Sequence, residues 1–279
     1  MRRLALLAWL WLAAPGLAAE VERPLLELGV LAVGGTFPDY PAAEQNHWQG
    51  APLPFLIYRG DILRSDESGL RGLLLRSDRI QLDVSLNGSL PVDSSDNDAR
   101  DDMPDLDLMG EIGPNLRLIL LREPEVQRLD LDLGLRAAFT TDFSSIDYRG
   151  LVLAPELSFK RLGLGLPDSR LRLGIGPVFA TERYMDYFYE VEPRYARPGR
   201  PAYDADAGYL GARLQGSYRL SLGQRLSITV GGRAEGFWGA TNDDSPLFRR
   251  NVNVAALLGI AYSFYQSDAR ARVSYDPLD

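Results

Sequence analysis

The stretch from Arg250 to Phe264 reads R-N-V-N-V-A-A-L-L-G-I-A-Y-S-F. Val252, Val254, Ala256, Leu258, Ile260, Tyr262 and Phe264 share one face of an extended strand, and Asn251, Asn253, Ala255, Gly259, Ala261 and Ser263 share the other, because successive side chains of a strand point to opposite sides. An alternation held over about fifteen residues exceeds the five or six of an ordinary soluble strand and is long enough for a tilted strand to cross a bilayer. Its aromatic end suits an interfacial girdle. The same period of two recurs at Ile80 to Leu86, Leu106 to Leu120, Leu129 to Arg136 and Arg170 to Ile175. Further strand-like segments are Leu26 to Gly34, Leu53 to Gly60, Gly69 to Arg76, Tyr148 to Lys160, Asp206 to Leu220 and Gln224 to Trp238.

Short connections at Arg122 to Glu125, Gly163 to Asp168 and Ser221 to Gly223 alternate with long ones at Asp93 to Pro104, Tyr184 to Tyr203 and Gly239 to Arg249. That asymmetry belongs to outer-membrane barrels, whose short turns face the periplasm. The expectation is an all-β protein, a transmembrane antiparallel up-and-down β-barrel. Eleven segments conflict with the even strand number of bacterial single-chain barrels, and the long Gly35 to Ala51 connection falls on the wrong side of the alternation. The pattern therefore predicts about twelve strands, with ten as the alternative, and places the miscount between residues 25 and 90. A soluble β-sandwich or lipocalin-like barrel shows the same alternation with its apolar face inward; strand length argues against it.

Arg2 and Arg3, the apolar run Leu4 to Leu17, and Ala18 and Ala19 follow the order of a secretory signal peptide, so residues 1–19 are expected to be a leader and 20–279 the outer-membrane barrel domain. With no later run of eighteen apolar residues, a membrane location requires strands. The net charge of -8 argues against nucleic acid as a partner. The absence of cysteine excludes disulfides, thiolate metal sites and a lipid-acylated N-terminus.

The polar strand faces carry both signs: Asp83, Glu111, Arg117, Asp130, Asp132, Arg136, Glu156, Lys160, Arg170, Arg172, Arg213, Arg219, Arg233 and Glu235. In a barrel of about twelve strands, opposite charges are expected to pair across the interior and leave a plugged or very narrow pore. Serine hydrolysis, or Asp/His proteolysis of the kind some outer-membrane barrels perform, would need an imidazole as general base. The one histidine, His47, falls in the Gly35 to Ala51 connection with no serine motif nearby, so no catalytic residue is assigned. The acidic run Asp93, Asp96, Asp98, Asp101, Asp102 and Asp105 lacks the order of a calcium loop, and neither metal nor cofactor is expected.

Several stretches resemble the MipA/OmpV family of outer-membrane proteins, the MltA-interacting proteins. They are Leu28 to Tyr40 with its P-D-Y, Pro52 to Asp61, Tyr187 to Val191, the P-A-Y-D of Pro201 to Asp204, the D-S-P-L of Asp244 to Leu247, and the G-I-A-Y-S-F of Gly259 to Phe264. The chain departs from the family pattern where Tyr265 to Asp279 continue beyond the last aromatic strand, as a periplasmic tail or an extra strand. The resemblance implies a Gram-negative outer-membrane protein, bathed in outer-membrane lipid. It implies a non-enzymatic scaffold or adaptor that contacts a lytic transglycosylase or other peptidoglycan-remodelling enzyme; the alternative is a narrow channel for small solutes. Aromatic and arginine side chains dominate interface hot spots, which selects Tyr187, Tyr189, Arg194 and Tyr195 in the long loop and Arg270, Arg272 and Tyr275 in the tail as candidate partner contacts.

Overall fold

A computed structural model describes residues 20–59, 63–66, 69–72, 75–77, 79–123 and 126–274. The expected leader, residues 1–19, and Tyr275 lie outside them. The strands are β1 (Glu20–Pro24), β2 (Leu26–Pro38), β3 (Asn46–Arg59), β4 (Leu63–Asp66), β5 (Gly69–Gly72), β6 (Leu75–Arg76), β7 (Ile80–Ser89), β8 (Leu108–Glu123), β9 (Gln127–Thr141), β10 (Ile146–Leu162), β11 (Ser169–Ala180), β12 (Gly208–Leu222), β13 (Leu226–Gly236), β14 (Val252–Gln266) and β15 (Arg270–Ser274). An α-helix, α1 (Glu182–Tyr189), lies between β11 and β12.

From β2 to β14 the strands form one antiparallel meander, and β14 returns to pair with β2, Gly259 opposite Val33. At the other junction β5 pairs with β4 and also lies beside β7, while β6 pairs with β7. With β5 and β6 taken as one strand position, the wall has twelve, as the sequence predicts. The miscount is also explained. Leu63–Asp66 was missing from the sequence reading because four residues, L-R-S-D, are too few to show a period.

The Gly35 to Ala51 connection is corrected by the structure. Residues up to Pro38 and from Asn46 onward are strand, paired from Thr36 with Trp48 to Pro38 with Asn46. Only residues 39–45 turn. Their polar and glycine-rich flanks extend the β2–β3 hairpin beyond the apolar band, where lipid no longer enforces alternation. With β4 restored, this turn joins the long loops on the outer side, together with the tight Asp142 to Ser145 turn.

The faces follow the predicted alternation. Leu131, Leu153, Leu173, Leu214, Val230 and Leu258 point outward, Leu258 being 48% exposed, whereas Asp130, Asp132, Ser158 and Lys160 on the opposite face are buried. The apolar core sits where loops enter the outer mouth, built from Tyr40, Val92, Leu106, Met109, Val152, Tyr184, Met185, Phe188, Tyr189, Val191 and Leu247. Strands of fifteen to seventeen residues, β9, β10 and β12, exceed the nine to eleven a bilayer crossing needs, and the surplus holds this core.

The tail is a strand, although not of the barrel. β15 pairs with β1 in a separate two-stranded ribbon, Arg272 opposite Glu22. Hydrogen bonds from Leu25 N to Ala269 O (2.8 Å) and from Ser267 N to Leu26 O (2.9 Å) fasten it beside the rim where β2 begins and β14 ends.

Arginine on the lipid face at mid-bilayer costs about 2–4 kcal/mol. Leu131→Arg and Leu258→Arg should therefore each sharply reduce the folded fraction recovered in lipid vesicles, while Thr229→Ala on the lumen face should leave it near wild type. Equal losses from the two faces would refute the assignment.

Candidate functional site

The lumen is ionic. Arg117 Nε on β8 donates to Asp132 Oδ1 on β9 at 2.8 Å and lies 3.7 Å from Asp130, while Arg117 Nη1 lies 3.6 Å from Asp83 on β7. Asp130, fully buried, accepts from Arg128 Nε at 2.9 Å and has Lys160 of β10 at 3.4 Å. Arg136 meets Glu111 at 2.8 Å, Arg172 meets Glu156 at 2.8 Å, and Arg213 meets Glu235 at 2.8 Å. Arg170 and Arg219 stand opposite each other on β11 and β12.

The expectation of pairing across the barrel is corrected here. Aside from the Arg128–Asp130 pair within β9, these bridges join neighbouring strands and run sideways along the wall. The reason is distance: lumen side chains on adjacent strands are roughly 5 Å apart, so a charge finds its partner beside it sooner than opposite it. The wall is braced laterally, and space is left inside.

Above the lumen, loops close the outer mouth. β10 carries a bulge at Tyr148/Gly150, and Gly150 adopts φ 101. A Cβ there would run into Thr181 Oγ1, which instead accepts from Leu151 N at 2.9 Å. Thr181 thus anchors the start of α1, which lies over the mouth and brings Tyr184 OH to Glu111 Oε1 at 3.2 Å. The aromatic loop is held by its neighbours. Tyr189 OH donates to Pro41 O (3.0 Å), Ser245 Oγ donates to Tyr189 O (2.8 Å), and Tyr40 OH donates to Leu247 O (2.8 Å). Tyr203 OH reaches Asn242 Oδ1 (3.1 Å) and Asp244 Oδ1 (2.5 Å).

Four of the six carboxylates of the acidic run are engaged within this cap. Asp93 accepts from Ser95, Asp105 accepts from Ser94 N at 2.7 Å, and Asp101 and Asp102 face Arg197 at 3.1 and 3.6 Å. Arg200 donates to the carbonyls of Ala99 and Asp101. Among the described residues no group of three or more potential ligands converges on a metal position. His47 is strand, not loop: it lies on β3 opposite Phe37, and its Nδ1 is 2.6 Å from Asp39 Oδ1. Asp39 Oδ2 accepts from Asn97 at 2.6 Å, so this carboxylate ties the 39–45 turn, β3 and the acidic loop together.

The candidate contact residues divide. Tyr189 is 1% exposed and belongs to the core of the cap, which corrects its choice as a contact. Tyr187 is partly buried, with the Arg149 guanidinium 4.6 Å from its ring. Arg194 is exposed, pairs with Glu192 at 2.8 Å and lies over half-buried Tyr195. Arg270 is exposed on β15, which also carries Arg272. The Asp39–His47–Asn97 and Tyr184–Glu111 contacts were missed in the sequence, whose only hint of the former was the P-D-Y motif.

A family model described as MltA-interacting protein MipA matches residues 30–264. The chain belongs to this family. No curated protein matches it in sequence. Among solved structures, an outer-membrane channel from Pseudomonas putida F1 aligns at 13% identity and TM-score 0.46, over 90% of this chain and 100% of that one. A bacterial polysaccharide outer membrane secretin aligns at 10% identity and TM-score 0.41, over 87% and 99%, and the NanC porin at 7% and 0.39, over 84% and 98%. With its apolar strand faces outward, this MipA-family chain is a β-barrel protein of the Gram-negative outer membrane.

Burial, with Glu190, Glu182 and Asp204 nearby, pushes the Asp186 carboxyl up to about 6, and its Oδ1 is buried without a hydrogen-bond partner. A folded-state value above the unfolded one means that ionisation opposes the fold: the cost is fully present above about pH 6 and vanishes below about pH 4. Asp186→Asn should therefore slow amide exchange of residues 182–190 several-fold at pH 7.5 and leave it unchanged at pH 4. The same slowing at both values would refute the charge penalty.

Proposed function

We propose that the barrel is a non-enzymatic scaffold of the outer membrane that holds a lytic transglycosylase or other peptidoglycan-remodelling enzyme at the periplasmic rim. The β1–β15 ribbon carries this reading. It hangs at the end of the barrel where the short turns lie, joins the two ends of the barrel domain, and offers the exposed Arg270. The family description, an MltA-interacting protein, supports the partner class. The closed outer mouth supports a scaffold over a conduit, since Tyr184, Phe188 and Tyr189 are packed into it. Tyr187, Arg194 and Tyr195 lie at the opposite end and are less well placed for an enzyme that works on peptidoglycan.

Truncation after Gln266 removes β15. If the shortened barrel still shows heat-modifiable migration, pull-down of a co-expressed lytic transglycosylase should fall at least tenfold. Undiminished capture by the folded truncation would move the interface to the short turns. In planar bilayers the intact protein should show little conductance, and Arg136→Gln with Arg172→Gln should raise it by loosening the lumen wall. Steady open channels in the unmutated protein would favour the solute-channel reading.

A further inference from the structure

The lumen is unevenly filled. β8 to β11 pack large charged side chains against one another, whereas the lumen positions of β12, β13, β14 and β2 include Ser217, Thr229, Gly231, Ala255, Gly259 and Gly35. The missing volume leaves a cavity of about 370 Å³, within the range of small-molecule sites. Phe37, Val92 and Leu257 supply apolar lining, and Arg172, Gln215 and Arg233 supply polar lining. A second cavity of about 260 Å³ shares Arg172 and Gln215 with the first and is lined by charged groups including Arg117, Asp132, Arg136 and Arg213. Arg172 and Gln215 therefore stand where an apolar compartment meets an ionic one.

Charge at that boundary is unbalanced. Arg172, Arg213 and Arg233 face two carboxylates: Glu156 takes Arg172 at 2.8 Å, and Glu235 takes Arg213 at 2.8 Å with Arg233 at 3.6 Å. Gln215 also donates to Glu156. Arg172 Nε is buried with no hydrogen-bond partner among the described residues. The remaining carboxylate in the first cavity, Asp39, is engaged by His47 and Asn97.

We propose that this cavity binds a small organic anion with an apolar body, its carboxylate or sulfonate taken by Arg172 and Arg233 beside Gln215 and its body lying against Phe37, Val92 and Leu257. An anion entering a lumen loses water, and charge-assisted bonds from guanidinium groups are what restore its stability there. An apolar body gains by leaving water for the lining. A cation of the same shape would meet the excess guanidinium charge and be rejected. This site is independent of the scaffold reading, since it lies inside the wall and the ribbon lies below it.

The test uses the full barrel in lipid nanodiscs, with empty nanodiscs as blank, and measures uptake of 2-naphthoate, decanoate and 2-naphthylmethylamine by equilibrium dialysis. One saturable site for at least one of the two anions is expected, with no saturable uptake of the amine. Preference between the anions distinguishes an aromatic acid from an acyl chain. Ser217→Phe, which fills the cavity, and Arg172→Gln with Arg233→Gln should each weaken binding at least tenfold in protein that still migrates as a folded barrel. Should the phenylalanine variant fail to fold, the arginine pair decides alone. Absence of saturable uptake of both anions, equal uptake of the amine, or affinity unchanged in the folded variants would overturn the proposal.

Discussion

A backbone amide or carbonyl that enters hydrocarbon without a partner costs several kcal/mol, so a chain with no spanning helix can cross a bilayer only by closing its strands on one another. The pairing of β14 with β2, together with β5 lying beside β7 at the other junction, answers that requirement, and much else in the molecule follows from it. Strand tilt in a closed wall fixes the stagger. The line of paired residues from Arg172 passes through Ser217, Gly231, Leu257 and Gly35 to Gln49, linking the inner half of β11 to the outer end of β3. Residues far apart in level along their own strands are thereby made neighbours, and the boundary between ionic and apolar lumen is drawn along such a line.

Closure also explains the chemistry of the interior. Side chains on the inner face are removed from bulk water, so each charge there needs an opposite charge within bonding distance. Adjacent strands supply it: β7, β8, β9 and β10 share the network of Asp83, Arg117, Asp132, Asp130 and Lys160. Where β12 to β14 carry small side chains there is no comparable demand, and the lumen stays open. A wall braced on one side and hollow on the other is suited to stiffness and to holding something small.

The sequence made the wall legible because a lipid face and a lumen face impose a period of two that survives in the composition of every long strand. Leu131 and Leu258 outward, Asp130 and Arg172 inward, and eleven of the twelve positions follow from that one signal, the twelfth being required by the even strand number of such barrels. It fails where the constraint lapses. Asn46 to Gly50 adjoin the 39–45 turn, and N-H-W-Q-G carries no apolar alternation although it is strand. β4 is too short to display one. Pairing geometry was misjudged for a different reason: the period says which side chains face inward but not whether they meet sideways or across. The candidate site was less legible than the fold. Tyr189 has the composition of a contact residue, and only its placement beneath Ser245 and Phe248 reveals it as packing.

The segments that carry the family resemblance make sense in the same terms. The P-D-Y ending at Tyr40, the run Tyr187 to Val191, the P-A-Y-D ending at Asp204 and the D-S-P-L ending at Leu247 are scattered along the chain, yet they converge on the outer cap. Tyr40 bonds Leu247, Ser245 bonds Tyr189, Val191 bridges Tyr203, and Tyr203 bonds Asp244. A membrane wall can be written in many sequences, since any apolar residue satisfies lipid and any compensated charge satisfies the lumen. Loops over a mouth have no such uniform solvent to face. Their backbone groups must each be met by a particular side chain at a particular place, so identity matters there residue by residue. Part of what makes this chain recognisable therefore lies in the cap, and the rest, on β2, on β3 from Pro52 and in the G-I-A-Y-S-F of β14, lies in the wall that makes it a barrel.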